Sequence, residues 1–333
     1  MPMPSSDQPT GDRSSPVALA VEKHRLSIEC TTAGRLVPWL GPAIRGIVAL
    51  RHRATVCTQP KETWATTWRY CRGCPQMESC AYGTLFEPDN PPGSPGQRDA
   101  PRPLVIEPAF PTPLRAASGL RFTVDILAIG SAASVGVPGL IRALVDAGRL
   151  DGLGPDRVRF EVVPVGAPER RLILASDLPK SAAAEPVAHD VTIHLRGPLF
   201  IRDRSQAGGR RGVEAPNLGH LFRASMRVAR DFLGEGANCP GRGHLDLADL
   251  ASSIEPTAVD FRRFTQEKAS HRSGERFALD GVTGSWTFAT LPVCLIPWLQ
   301  LGGMLHVGGH RIAGAGGWDL QFGSAVGFQD TSR

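Results

Sequence analysis

Lysine is scarce in this 333-residue chain: it stands only at 23, 61, 180 and 268, and every other basic residue is arginine. Arginine's planar fork suits bidentate phosphate contacts, although a genome-wide compositional bias produces the same skew. The chain also lacks a basic stretch followed by an apolar run near its start. Residues 1–16 are polar and rich in Pro and Ser, so no secretory signal is read and a cytoplasmic location is expected. An unbroken apolar span is missing too. Between Gly281 and Trp318 the single charged side chain is Arg311, but Pro292, Pro297, Gly302 and Gly303 interrupt the run, which excludes a membrane-crossing helix by length. What is present is ordinary for a globular protein, with 41% hydrophobic and 21% charged residues. The length allows two domains, each with its own core. A formal charge of +5 and a pI near 9.0 permit an RNA partner.

Residues 1–19 read as a disordered leader. Alternation at Leu26, Ile28 and Cys30 marks a strand over 20–31. A helix is expected from about 40 to 55, with Leu40, Ile44, Ile47 and Val48 as its apolar stripe and Arg45 and His52 opposite. Pro and Gly over 88–103 mark a loop. Strands are expected at 120–129 and 157–165, flanking a helix that starts at Pro138 and stops at Gly148. This order suits a ferredoxin-like α+β unit. A second unit opens at Asp190 with an alternating strand, an Arg/Gly loop over 202–211, and a helix capped by Asn217. Arg223, Arg227 and Arg230 share that helix's polar face, an ordinary solvated face or an RNA surface. Strands over 281–291 and 318–323 surround a glycine-rich segment.

Four of the seven cysteines stand at Cys57, Cys71, Cys74 and Cys80. One CxxC pair with two flanking cysteines supplies four thiolates, the donor set of tetrahedral zinc. In a reducing compartment such spacing favours metal over disulfides. Structural zinc is the first expectation; an iron–sulfur cluster and unligated thiols are the alternatives. Cys30, Cys239 and Cys294 read as small buried hydrophobes. From 301 to 318 the chain carries glycine at 302, 303, 308, 309, 314, 316 and 317, with His306, His310 and Arg311 among them. Such a run either cradles a phosphate on inward amides or turns a tight corner.

Three stretches together resemble a known family: Gly41-Pro42-Ala43-Ile44-Arg45-Gly46, Cys71-Arg72-Gly73-Cys74-Pro75 through Cys80 to Pro88, and Leu305-His306-Val307-Gly308 to Gly314-Ala315-Gly316. They look like the CRISPR-associated endoribonucleases of the RAMP superfamily that process precursor crRNA. The resemblance implies two tandem ferredoxin-like (RRM-like) domains. These would span 20–185, with a Cys-rich zinc-knot insertion at 57–88, and 186–326, with the Gly-rich loop at 302–317. It also implies metal-independent cleavage of CRISPR repeat RNA by its own 2′-hydroxyl, leaving a cyclic phosphate. Zinc would then be scaffold, with no catalytic metal. In the family's loop pattern His306 replaces the first glycine, as in a recognisable subgroup, and Gly309, His310 and Arg311 stand where that subgroup has its lysine region.

His52 is the leading acid–base candidate, because the family places a catalytic histidine near there and histidine titrates near neutrality; a solvent-facing helix histidine is the plain alternative. His306 and His310 are further catalytic candidates, His306 having a core reading as well. Arg45, Arg51, Arg53, Gly308, Gly309, Arg311, Gly314 and Gly316 are assigned to RNA binding. Arg262 and Arg263, in a basic-aromatic stretch, are either RNA contacts or a solvated helix face. Tyr82 stacks on a base or packs beside the cysteines. The partners expected are repeat RNA or crRNA and other CRISPR-associated subunits. Two other readings remain: a non-catalytic crRNA-binding RAMP subunit, and a zinc-knot interaction protein.

Overall fold

The computed structural model describes residues 17–64, 66, 71, 73–88, 101–182, 186–201, 213–237, 243–269 and 276–323. The first half runs β1 (Ala18–Cys30), β2 (Gly34–Arg35), α1 (Gly41–Val56), α2 (Ala81–Phe86), β3 (Leu104–Pro108), β4 (Arg115–Ala116), β5 (Arg121–Ile129), α3 (Ser131–Leu150), β6 (Phe160–Pro164) and β7 (Glu169–Leu174). Its main sheet has the order β3-β5-β1, with β6 and β7 following one another along the outer edge of β1, all antiparallel. β6 pairs with Leu26–Cys30 and β7 with Ala18–Lys23, so the pair acts as one edge strand interrupted between Pro164 and Pro168. Counting them together gives β-α-β-β-α-β in ferredoxin-like order.

The second half repeats the plan. β8 (Val187–Leu195), α4 (Leu218–Leu233), α5 (Gly243–Ser253), β9 (Ala258–Ala269), β10 (Arg276–Pro292), α6 (Ile296–Leu305) and β11 (Trp318–Phe322) follow in sequence. The antiparallel sheet order is β11-β8-β10-β9. The chain is thus a mixed α+β protein with two antiparallel sheets of the same connectivity.

Period-2 alternation in β1 buries Leu26, Ile28 and Cys30 beneath α1 and α3, where Ile44, Val48, Val137, Leu140 and Leu144 complete one core. The other half's core forms where α4 and α6 lie on their sheet, with Phe222, Trp286, Phe288 and Trp298 fully inside. Leu19, Val21, Val105, Leu127 and Ile129 belong to that same second cluster, so the first sheet's other face is covered by the second half. A third cluster joins Trp39 to Phe200, Phe264, Leu279, Ala313 and Ala315. Among the described residues no helix is long and apolar enough to cross a membrane.

Two elements differ from the sequence expectation. α3 begins at Ser131, behind Gly130 at φ 87°, and Pro138 lies within it. The proline forfeits one helix hydrogen bond without starting the helix. Arg262 and Arg263 lie on β9, an edge strand, and not on a helix. Residues 1–16 of the expected leader over 1–19, most of the Pro/Gly loop, the Arg/Gly loop and Cys239 fall outside the described residues, while β1 already begins at Ala18 within that leader.

Candidate nucleic-acid interface

Much of the glycine-rich segment serves packing. A Cβ on Gly314 would lie 2.6 Å from Glu107 Cα, so the loop seats directly on β3 of the other half. Gly316, at φ 75°, leaves a Cβ only 1.9 Å from the Val307 carbonyl oxygen. Several amides are consumed internally: Val307 donates to Gly316 O, Gly309 to Phe200 O, Gly314 to Arg311 O and Gly316 to Pro198 O, all within 3.0 Å. Gly308 and Gly309 alone among the loop's glycines present an open face, beside Phe200.

Under this loop lies a buried polar junction that composition gives no hint of. Arg196, just past β8, donates from Nε to Glu107 Oε1 at 2.8 Å. Its Nη1 donates to Trp318 O and Asp319 Oδ1, both at 2.7 Å, and Nη2 to Gly303 O at 3.0 Å. His306 is fully buried at φ 61°. Its Nδ1 donates to the Ala315 carbonyl at 3.0 Å, and Nε2 lies 3.2 Å from Glu107 Oε2 and 3.3 Å from Arg196 Nη2. Burial pushes the Glu107 carboxyl up, but His306 and Arg196 outweigh it and hold it at about 2. Burial likewise opposes the Arg196 charge, and Glu107 and Asp319 overcome it. His306 therefore ties the loop to the first half, its ring fully buried although the residue borders the cleft at Gly308 and Gly309.

The other nominated residues scatter. His52 is 2% exposed, packed against Phe86 and Gly139, with Nε2 lacking a partner. Burial lowers its pKa, against a smaller upward pull from a backbone hydrogen bond with Gly139. It is neither solvent-facing nor near the glycine loop. Gly41, at the start of α1, is the residue that abuts Ala313, and His52 lies eleven residues on, about 16 Å along the helix axis. Arg51 is committed to Asp151, with two contacts of 2.7 Å. Arg53 is buried over the rings of Trp64 and Tyr82, at 4.6 and 5.4 Å. Tyr82 stacks on Phe86 and donates to Glu87, so it packs beside the cysteines. Arg311 turns inward, donating to Leu305 O and Arg102 O over the Phe232 ring. Burial, helped by Arg102, pushes its guanidinium down to about 10. His310 stands edge-on to Phe200 at 5.2 Å.

Arg262, Phe264, Gln266 and Lys268 alternate along one face of β9. Phe264 packs edge-on against Trp39, and the Gln266 side chain pairs with the Trp39 backbone, Nε2 donating to its carbonyl and Oε1 accepting its amide, both at 3.0 Å. Lys268 has its pKa lowered by burial and then by Arg45, which places two cations together at this joint. Arg263 faces the other way, 3.8 Å from Asp280.

Cys57, Cys71, Cys74 and Cys80 line one cavity of about 10 Å³ with Arg53. That is the room of one water-sized sphere. Burial, opposed by Arg53 and helped by the other three thiols, pushes the Cys71 thiol up to about 11. Four soft thiols fit zinc chemically. Among the described residues, however, no three His, Cys, Asp or Glu side chains converge as a metal-holding group, so ligation requires the thiols to draw inward.

Among the described residues, two clefts are large enough for a polymer. One, of about 860 Å³, lies between the first sheet and α6 and β11. Its charges are of both signs, and several are paired: Lys23 and Arg25 on Asp125, Arg196 on Glu107 and Asp319, with Glu169 and Arg171 also on the rim. Such a lining suits a polyanion poorly. The other, of about 530 Å³, opens where Gly308 and Gly309 face His220, Arg223 and Arg227 of α4, with Phe200 and Ile201 behind. Positions 220, 223 and 227 share one helix stripe. That spacing was visible in the sequence for the arginines; His220 was missed because it precedes the helix's apolar pattern.

Residues 19–185, half of the chain, match the family described as AF_1859_N, N-terminal domain. No curated protein matches the chain by sequence. Among solved structures, the chain is similar to the Thermus thermophilus Cas6 product complex, with 12% identity and a TM-score of 0.53 over 90% of this chain and 99% of that one. A partial Cas6-RT-Cas1–Cas2 complex gives 13% identity and a TM-score of 0.53, covering 92% of this chain and 47% of that one. At these identities the likeness is one of fold.

Proposed function

The chain belongs to the AF_1859_N family and has the fold of Cas6 proteins, and from that premise we propose that it binds CRISPR repeat RNA and cuts it without a catalytic metal. The observation that carries this reading is the cleft in which Gly308 and Gly309 meet the α4 stripe of His220, Arg223 and Arg227. The exposed Gly308 beside two guanidinium groups suits a phosphate in a crowded strand, the Gly309 amide already serving Phe200 O. Arg262, Lys268 and Arg45 extend the positive surface along β9 and α1.

The reaction uses the RNA's 2′-hydroxyl as nucleophile on the adjacent phosphorus. The protein has to remove that proton and stabilise charge on the phosphorane, and the products are a cyclic phosphate and a 5′-hydroxyl. Arg311, His306, Gly314 and Gly316 act by shaping the loop. The four cysteines hold a structural zinc that braces α1 and α2, and no reaction step passes through it.

The test is incubation with repeat RNA in EDTA, with product ends mapped. Cleavage at one position leaving a cyclic phosphate is expected; intact RNA bound in a salt-sensitive way would refute cleavage. That outcome fits a second reading, a non-catalytic crRNA-holding subunit, which the burial of His52 and His306 favours. Failure to bind RNA at all would leave a zinc-knot interaction protein. The likeness to a partial Cas6-RT-Cas1–Cas2 complex supports other CRISPR-associated subunits as partners.

A further inference from the structure

We infer that the arginines around the β2–β4 ladder and the loop after α3 form a second RNA grip, one that holds phosphates without reading bases; this rests on the RNA-binding reading above. In the two-residue ladder Arg35 stands directly opposite Arg115, so both side chains leave the same face with Cβ atoms about 5 Å apart, where like charges repel. The loop after α3 closes against this ladder. A Cβ on Gly154 would lie 2.3 Å from the Arg35 carbonyl oxygen, and one on Gly152 2.2 Å from that of Arg157. Leu153 and Val158 exchange backbone hydrogen bonds of 2.9 and 2.8 Å, which fixes the loop. Arg157 is held there at φ 51°, a left-handed backbone that residues other than glycine rarely adopt.

The nearby carboxylates offset only part of this charge. Asp156 accepts from the Arg35 amide at 2.9 Å and from Arg35 Nη2 at 2.8 Å. Asp151 accepts from Arg51, and Arg51, then Arg159 and Arg157, hold its carboxyl below the usual range against burial. Glu29, on β1, is matched by Arg121 at 2.7 Å. Arg115 and Arg157 are exposed, and among the described residues neither side chain forms an ion pair. Packing explains neither the repelling pair nor the left-handed arginine; both are penalties that a bound anion offsets. Residues 34–36, 114–116 and 151–159 include no aromatic side chain, so bases have nothing to stack on and the contacts fall on phosphates. The cluster also adjoins the surface along β9. Arg35 is four residues from Trp39, at most about 14 Å of chain, and Trp39 bonds Gln266 of β9.

The test compares the parent with a double variant, Arg115→Gln with Arg157→Gln, at two exposed positions outside the core. Binding of repeat RNA and of an unrelated RNA of equal length is measured over a range of salt in EDTA, with a thermal melt as the check on folding. The variant should bind both RNAs more weakly by a similar factor. Its slope of log affinity against log salt should be shallower by about 1.4, at about 0.7 per phosphate of a single strand. Arg115→Lys with Arg157→Lys keeps the charge and should keep the parental slope. A parental slope in the glutamine variant would overturn this grip, give the arginines to another partner such as an acidic protein surface, and leave the proposed function standing. A loss confined to the repeat RNA would overturn the phosphate-only reading. A parent protein that binds neither RNA would overturn both this inference and the function it rests on.

Discussion

Replacing Glu107 by glutamine tests the buried junction beneath the glycine loop. The carboxylate accepts from Arg196 at 2.8 Å and meets His306 Nε2 at 3.2 Å, with the residue 9% exposed. Its carboxyl is held at about 2 against an ordinary 4.5. At about 1.4 kcal/mol per pH unit, the ionised form gains roughly 3 kcal/mol from the fold. Breaking one side of a buried ion pair independently suggests a loss of about 3–5 kcal/mol, and the Arg196–Asp319 contact, on an exposed aspartate, offsets little of it. Urea unfolding at pH 7 should therefore show Glu107→Gln less stable by about 3 kcal/mol. The sign with pH follows from a folded pKa below the unfolded one. The contribution is whole above about pH 4.5 and is lost as pH falls towards 2, so the gap between parent and variant narrows in acid. Equal midpoints at pH 7, or a gap that widens on acidification, would refute the reasoning.

Four other outcomes follow from the same structure. His52 has its pKa lowered by burial, so stability falls as pH drops below about 6.5, where the unfolded chain takes a proton that the native state resists; thermal melts from pH 7 to 5 should show a smaller loss in His52→Leu. His52→Ala should retain cleavage if the ring only packs, whereas lost cleavage with intact repeat binding and folding would return it to the mechanism. Elemental analysis should find about one zinc per chain, reduced by Cys71→Ser, and metal-free protein of unchanged stability would contradict the tetrathiolate. Arg262→Ala should weaken RNA binding uniformly across sequences and lower the slope of log affinity against log salt by about one, as expected for one lost phosphate contact; an unchanged slope would place the RNA elsewhere.

The fold was legible where burial is one-sided. β1, β5, β8 and α4 follow from the alternation at Leu26–Cys30 and Val191–Leu195 and from the Asn217 cap, and the three quoted motifs pointed to the architecture that the Cas6 likeness shows. β9 was not legible, because Arg262-Arg263-Phe264-Thr265-Gln266 buries only Phe264 and leaves a weak alternation. α3's first two turns were hidden by Pro138, which reads as a start when taken locally. The site was less visible still. Glu107 and Arg196 stand 89 residues apart and meet only because two sheets face each other. His52 was placed opposite the apolar stripe by helical spacing alone, yet α3 and α2 close over that face as well. A glycine-rich run looks the same whether its amides await a phosphate or, as at Gly309, Gly314 and Gly316, already serve neighbouring carbonyls.

The reciprocal amide pair between Gln266 and Trp39 sets how far the two halves can part. That pair sits in an aromatic seam of Trp39, Phe200 and Phe264, and prising the halves apart there exposes apolar rings at a cost on the order of several kcal/mol. The halves therefore behave as one block rather than jaws. On the proposed function, RNA would meet a groove whose shape is set beforehand, and encounter would be governed by charge and ionic strength instead of by a slow opening motion. If the proposed RNA contacts at Arg262 hold, their distance from Gly308 is fixed by the same seam, which would make the spacing between grip and cut a property of the protein, a built-in ruler along the repeat.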